Sequence, residues 1–268
     1  MNGHDEFYIG WESKAPAGIG SRVRRVAVFL LALAVLLGVL LALVQRNIGV
    51  SVFEWGKVKG FSGILKSQPY PHLLVPRPDA SDGQTAFSSY YLVKPFKFGL
   101  DPGLAARLDG QAVGLKGTLI YRGEQTMLEV VDDSLRASDP LAPSEGARAR
   151  VSGLSQKPVS LGQQTLTGEI VDSKCFLGVM NPGALTPHRA CAIRCISGGI
   201  PPILLVQYDD GRTEHYLLTG LDGGPLNKGI LDLVAEPVTI RGEVERQGDL
   251  LVLRTEPKDI RRVGAGPR

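Results

Sequence analysis

The sequence lacks the short signatures of the common catalytic machines. It contains no G-x-S-x-G, no P-loop, no H-E-x-x-H and no haem-attaching C-x-x-C-H. It also lacks a large charge of either sign. Charged residues make up 21% of the chain and the net charge is +3, which excludes a disordered polyelectrolyte and a nucleic-acid-binding surface. Long helical periodicity is missing beyond one N-terminal segment, while glycine (33) and proline (18) are frequent. That combination predicts short strands joined by turns. With 268 residues there is room for about two domains.

The N-terminal exception is an uncharged run, Val26 to Val44. At about 1.5 Å rise per residue a helix of that length matches the hydrocarbon core of a bilayer, and a helix pairs its own backbone amides there. The run is longer than the apolar core of a cleaved signal peptide, which is about 7–15 residues. Residues 22–46 are therefore expected to be a transmembrane anchor in contact with the lipid bilayer. Arg22, Arg24 and Arg25 crowd its N-terminal edge and Arg46 stands alone at the other. The positive-inside rule then makes residues 1–21 a cytoplasmic tail and sends the rest of the chain into the periplasm, from a single-pass position in the inner (cytoplasmic) membrane. The tail's aromatic run, Phe7-Tyr8-Ile9-Gly10-Trp11, suits either a membrane protein partner or the lipid interface.

Beyond the anchor the sequence repeats itself. Tyr91-Leu92-Val93 corresponds to Tyr216-Leu217-Leu218, Val113 to Leu119 corresponds to Val238 to Val244, and Gly123 falls on Gly248, all at one offset. The matched segments alternate with period two, which excludes a helical repeat array. Each copy reads as three strands, a short helix and a hairpin: Phe61–Leu65, Leu73–Val75, Tyr90–Val93, Pro102–Leu108 and then Val113–Tyr121 with Thr126–Val131 in the first. In the second they are Leu166–Val171, Ile203–Val206, His215–Leu218, Leu226–Val234 and Val238–Glu245 with Leu250–Arg254. The fold class predicted is mainly β: an N-terminal transmembrane helix followed by two tandem small OB-like β-barrels, 52–136 and 159–263, joined by a linker at 137–158.

The offset is smaller at the first strand, where Gly63 matches Gly168, so the second copy carries an insertion at 172–202. All three cysteines and one of the four histidines fall inside it, spaced Cys175-x12-His188-x2-Cys191-x3-Cys195. If Pro187 to Cys195 is helical, His188, Cys191 and Cys195 share one face, and Cys175 can close the site from across the loop. Thiolates with an imidazole suit zinc in a tetrahedral site, copper as Cu(I), or an iron–sulfur centre. A disulfide from Cys175 to Cys191 or Cys195, with one thiol left over, is the structural alternative. A Cys191–Cys195 bond within a regular helix is disfavoured by the distance between positions one turn apart. The first copy lacks the loop, so the loop is expected to serve function and not folding.

The run Gly168-Glu169-Ile170-Val171-Asp172-x-Lys174-Cys175, then His188-Arg189-x-Cys191-Ala192-x-x-Cys195 and Gly198-Gly199-Ile200-Pro201-Pro202, resembles a motif of bacterial membrane-anchored proteins to which no activity attaches. The ligand chemistry is similar to that of membrane-anchored copper chaperones for cytochrome oxidase, which have a thioredoxin fold and a different histidine placement. The architecture resembles the haem chaperone of cytochrome c maturation, without its attachment motif. Neither resemblance carries a residue role across.

The expected function is a membrane-tethered periplasmic protein that holds a metal or redox centre at Cys175, His188, Cys191 and Cys195. It would serve a membrane electron-transfer or cofactor-assembly complex. A non-enzymatic interaction module with a structural disulfide is the second reading and a thiol–disulfide oxidoreductase the third.

Overall fold

The structure is a computed structural model that describes residues 16–46, 51–77, 87–137 and 158–264. The aromatic run of the tail and nearly all of the expected linker lie outside these residues. The chain divides into two units, residues 1–49 and 50–268.

The first unit contains one helix, α1 (Ala17–Arg46). Its apolar side chains are exposed along its length, and it is long and apolar enough either to span a membrane or to serve as a signal sequence. It begins several residues before the uncharged run.

The second unit is mainly β and contains two five-stranded barrels. The first uses β2 (Lys59–Lys66), β3 (His72–Pro76), β4 (Phe87–Val93), β5 (Ala112–Arg122) and β6 (Gln125–Val130). Their order round the barrel is β5-β2-β3-β4-β6, closed by β5–β6, and β4–β6 is its parallel pair. Short strands β1 (Ser51–Phe53) and β7 (Arg136–Ala137) add to β5. The second barrel uses β8 (Val159–Asp172), β9 (Pro202–Gln207), β10 (Thr213–Thr219), β11 (Pro237–Gln247) and β12 (Leu250–Arg254), in the order β11-β8-β9-β10-β12, with β10–β12 parallel. A final strand, β13 (Ile260–Arg262), pairs with β11.

Local chemistry explains the joints. Between β4 and β5 lies helix α2 (Pro102–Arg107), which starts where Pro102 needs no amide partner and where Asp101 caps the Leu104 amide at 2.6 Å. The hairpins close at Gly123 and Gly248, both at positive φ. In the second barrel a tight helical segment, Asn227–Leu233, occupies the place of α2 in chain order.

Each barrel has its own apolar core. Leu65, Leu73, Leu92, Val113 and Leu128 help to fill the first; Ile170, Leu204, Leu218, Ile240 and Leu253 help to fill the second. A third cluster lies between the barrels and joins Tyr91, Val93, Ile120 and Met127 to Phe176, Leu177, Ile203, Leu205 and Val252. Strand alternation divides these contacts. On β9, Leu204 and Val206 face the barrel interior while Ile203 and Leu205 face the neighbouring barrel. Burial on both faces is why Ile203-Leu204-Leu205-Val206 is an unbroken apolar run.

Candidate metal centre

In the first barrel β2 and β3 are joined by residues 67–71; in the second β8 and β9 are joined by residues 173–201. This long connection carries the cysteines. It begins with one wide turn, Cys175–Val179, closed by the Met180 amide on the Cys175 carbonyl at 3.0 Å. Thr186–His188 then forms a tight turn that leads into helix α3 (Arg189–Ser197). The α-helix starts at Arg189 and not at Pro187, which leaves His188 at its N-cap position. Helix α3 ends as the Gly-Gly pair predicts: Gly199 sits at positive φ, its amide bonds Ile196, and the Ile200 amide bonds Cys195. The carbonyls of Ile196, in the last turn of the helix, and of Ile200, just past it, also accept the Asn227 side-chain amide at 2.7 and 2.9 Å. Tyr70 of the first barrel orients Asn227 by donating to its Oδ1 at 2.8 Å.

Asp172, fully buried at the end of β8, organises the site. One carboxylate oxygen accepts the Cys175 amide at 2.8 Å and the other meets His188 Nε2 at 2.8 Å. His188 is buried, and its Nδ1 has no hydrogen-bond partner among the described residues. A carboxylate on one ring nitrogen fixes the tautomer so that the other presents a lone pair.

The sulfurs gather beside this pair. Cys175 Sγ lies 3.9 Å from Cys191 Sγ. Ligand atoms of Cys175, His188 and Cys191 lie within 4.8 Å of one another, as do those of Asp172, Cys175 and Cys195. All four residues expected to bind metal therefore cluster, with Cys175 common to both sets. All three cysteines are free; Cys175 and Cys195 are buried and Cys191 is partly exposed. Cys175 is held as a thiol, first by its hydrogen bond to Cys195, then by burial and by the Asp172 carboxylate. The acidity of Cys195 is raised in turn, chiefly by that bond from Cys175.

Two further residues belong to the site, and both are lysines. Lys97, on the first barrel's loop between β4 and α2, places Nζ 2.7 Å from Cys191 Sγ and 3.8 Å from Cys195 Sγ. The bond to Cys191 raises its pKa, aided by the nearby Cys195. Lys174 is 2% exposed, and its three donors are all taken: by the carbonyls of Lys94 and Phe96 at 2.9 and 2.8 Å and by Glu129 at 2.5 Å. The second barrel's lysine thus holds the loop on which the first barrel presents its own. That loop also docks on the end of α3, where the Gly99 amide bonds Gly198 at 2.9 Å. A Cβ on Gly198 would stand 2.0 Å from the Lys97 carbonyl, and one on Gly99 would stand 2.3 Å from the Gly199 carbonyl, so neither position admits a side chain. A cleft of about 910 Å³ borders this joint, lined by Phe96, Phe98, Gly198 and Gly199 among others.

The ligand spacing announces Cys175, His188, Cys191 and Cys195. Asp172 and Lys174 stand in the same run of sequence but outside any ligand pattern. Nothing near Lys97 marks it, because its partners lie in the other barrel. Chemically the arrangement offers three sulfurs and one imidazole nitrogen in a buried, carboxylate-braced pocket, a donor set that could hold a soft or borderline transition metal. Compared with known proteins, the chain matches no family model, no curated protein and no solved structure.

Proposed function

We propose that the protein is a membrane-tethered, extracytoplasmic metal-binding protein, with Cys175, His188, Cys191 and Cys195 as ligands for zinc or Cu(I), serving a membrane electron-transfer or cofactor-assembly complex. One observation carries the reading: buried His188 clusters with Cys175 and Cys191, spends Nε2 on Asp172 and leaves Nδ1 without a hydrogen-bond partner among the described residues. A buried nitrogen without a partner is costly unless something binds it. The bound metal would supply Lewis acidity or electron exchange; the chain's own residues fix the ligands and exclude water.

The strand order, with its parallel pair (β4–β6 and β10–β12), supports an OB-like reading of each barrel. Pairing supports reading them as copies: Gly63 pairs with Val113 and Gly168 with Val238. At both glycines a Cβ would meet a backbone carbonyl of the next strand, Leu74 at 2.4 Å and Leu205 at 2.3 Å. On that reading residues 172–202 are an insertion into the second copy. Arg22, Arg24 and Arg25, in α1 just ahead of its uncharged run, support a cytoplasmic N-terminus.

The test is metal content and thiol count of the full chain, purified in detergent without oxygen. One metal per chain, lost in Cys191→Ser and His188→Ala, is the expected result. A folded protein with three titratable thiols and no affinity for either metal overturns the reading. The 3.9 Å approach of Cys175 to Cys191 favours the second reading, an interaction module stapled by a disulfide, and in that case the same assay returns a single thiol.

A further inference from the structure

We infer that Lys97 and Cys191 are the two ends of a covalent Nζ–O–Sγ bridge that forms when the reduced protein meets dioxygen, and that this bridge locks the first barrel's loop onto helix α3 of the second. The geometry comes first. Nζ and Sγ stand 2.7 Å apart, the short end of the range for an amide on oxygen, about 2.7–3.2 Å, although sulfur is the larger atom. That is short for the ammonium–sulfur hydrogen bond of the reduced pair and too far for a direct N–S bond. It is the span left when one oxygen is bonded to both.

Access comes second. Cys175 and Cys195 are 3% and 1% exposed, whereas Cys191 is partly open and its contact with Lys97 is at the surface. Oxidation of cysteine follows exposure and a neighbouring cation, and Cys191 has both. Orientation comes third. The loop carrying Lys97 is tied down on both sides, by Lys174 at the Lys94 and Phe96 carbonyls and by Gly99 at Gly198. Phe96, the residue before Lys97, adopts a positive φ and is itself exposed. A bulky residue takes that conformation only when its surroundings impose it, and here it turns the following lysine toward the sulfurs.

The step balances. The lysine ammonium and the cysteine thiolate react with one dioxygen. The O–O bond breaks, and N–O and O–S bonds form. One oxygen atom remains in the bridge and the other leaves as water with two of the three ammonium protons. Nitrogen and sulfur each give up two electrons, and dioxygen takes all four. Thiol reductants reverse the crosslink by returning lysine and cysteine. The bridge needs no metal. Its consequence, that the oxidised protein cannot use Cys191 as a ligand and so does not load, rests on the metal-binding reading above.

The experiment is the intact mass of the full chain, purified in detergent without oxygen and free of metal, before and after exposure to air. The expected product has gained one oxygen and lost two hydrogens, reverts with dithiothreitol, and yields a linked peptide pair in which trypsin has not cut after Lys97. Lys97→Arg keeps the charge and should abolish the product, as should Cys191→Ser; Cys195→Ser should retain it. A mass lower by two hydrogens alone (a disulfide), higher by one oxygen alone (a sulfenic acid) or unchanged overturns the inference. So does a bridge mass that survives Lys97→Arg. Metal affinity of the reduced protein is measured apart from this, so either idea can fail while the other stands.

Discussion

Asp172 Oδ2 and His188 Nε2 lie 2.8 Å apart, at the end of β8 and the N-cap of α3, and both side chains are buried. The same carboxylate accepts the Cys175 amide. One residue therefore sets the imidazole tautomer and the start of the turn that positions a sulfur.

Asp172→Asn tests that role. The amide oxygen can still accept from Cys175, but its NH2 then faces Nε2 and drives the imidazole proton to Nδ1. The fold is expected to persist while metal affinity falls about 10–100-fold, the usual cost of losing such a partner. A competition titration against a chromophoric chelator reads this directly.

Lys174→Met tests the joint between the barrels. It leaves Glu129, 15% exposed, and two loop carbonyls without their partner. Breaking a buried pair in this way costs about 3–5 kcal/mol. Urea unfolding of the full chain in detergent should show a loss of that size, and the mobility of residues 94–99, read by hydrogen exchange, should rise with it.

The fold is expected to lose stability in acid through His215, packed 5.0 Å from the Phe176 ring. Burial, then the Arg122 guanidinium, pushes its pKa down to about 4, against about 6.5 unfolded. The folded protein thus keeps the ring neutral where the unfolded chain protonates it. Its contribution is fully present above the unfolded pKa and is lost as pH falls through the folded one. The shift is worth about 3 kcal/mol. His215→Phe should flatten the decline in unfolding free energy between about pH 6.5 and pH 4 relative to the parent.

Strand spans were largely legible in the sequence. Expected strands at Phe61–Leu65, Tyr90–Val93 and Ile203–Val206 fall within β2, β4 and β9, because alternation, proline and hairpin glycines are local signals. The unbroken Ile203–Val206 run carried more than was drawn from it: two-sided burial is what announces a second packing partner, and here the partner is the other barrel. The clustering of Cys175, His188, Cys191 and Cys195 was legible from their spacing within the long connection. Lys97 was not, since its meaning arises only when the Lys94–Gly99 loop lands on α3. Short β1 was missed as well, because three partly buried residues hold no period to read.

Topology has its own test. An enzyme reporter active only outside the cytoplasm, fused after Arg268, should be active, and the mature chain should retain residues 22–46. A reporter active only in the cytoplasm would reverse the orientation, and a chain beginning near residue 45 would make α1 a cleaved signal.

The most direct measurement of the central claim is X-ray absorption at the edge of the metal bound to the reduced full chain. The predicted shell is three sulfurs at about 2.3 Å and one nitrogen at about 2.0–2.1 Å, with the nitrogen lost in His188→Ala and one sulfur lost in Cys191→Ser. A shell of oxygen and nitrogen alone, or one unchanged by both substitutions, would contradict the account.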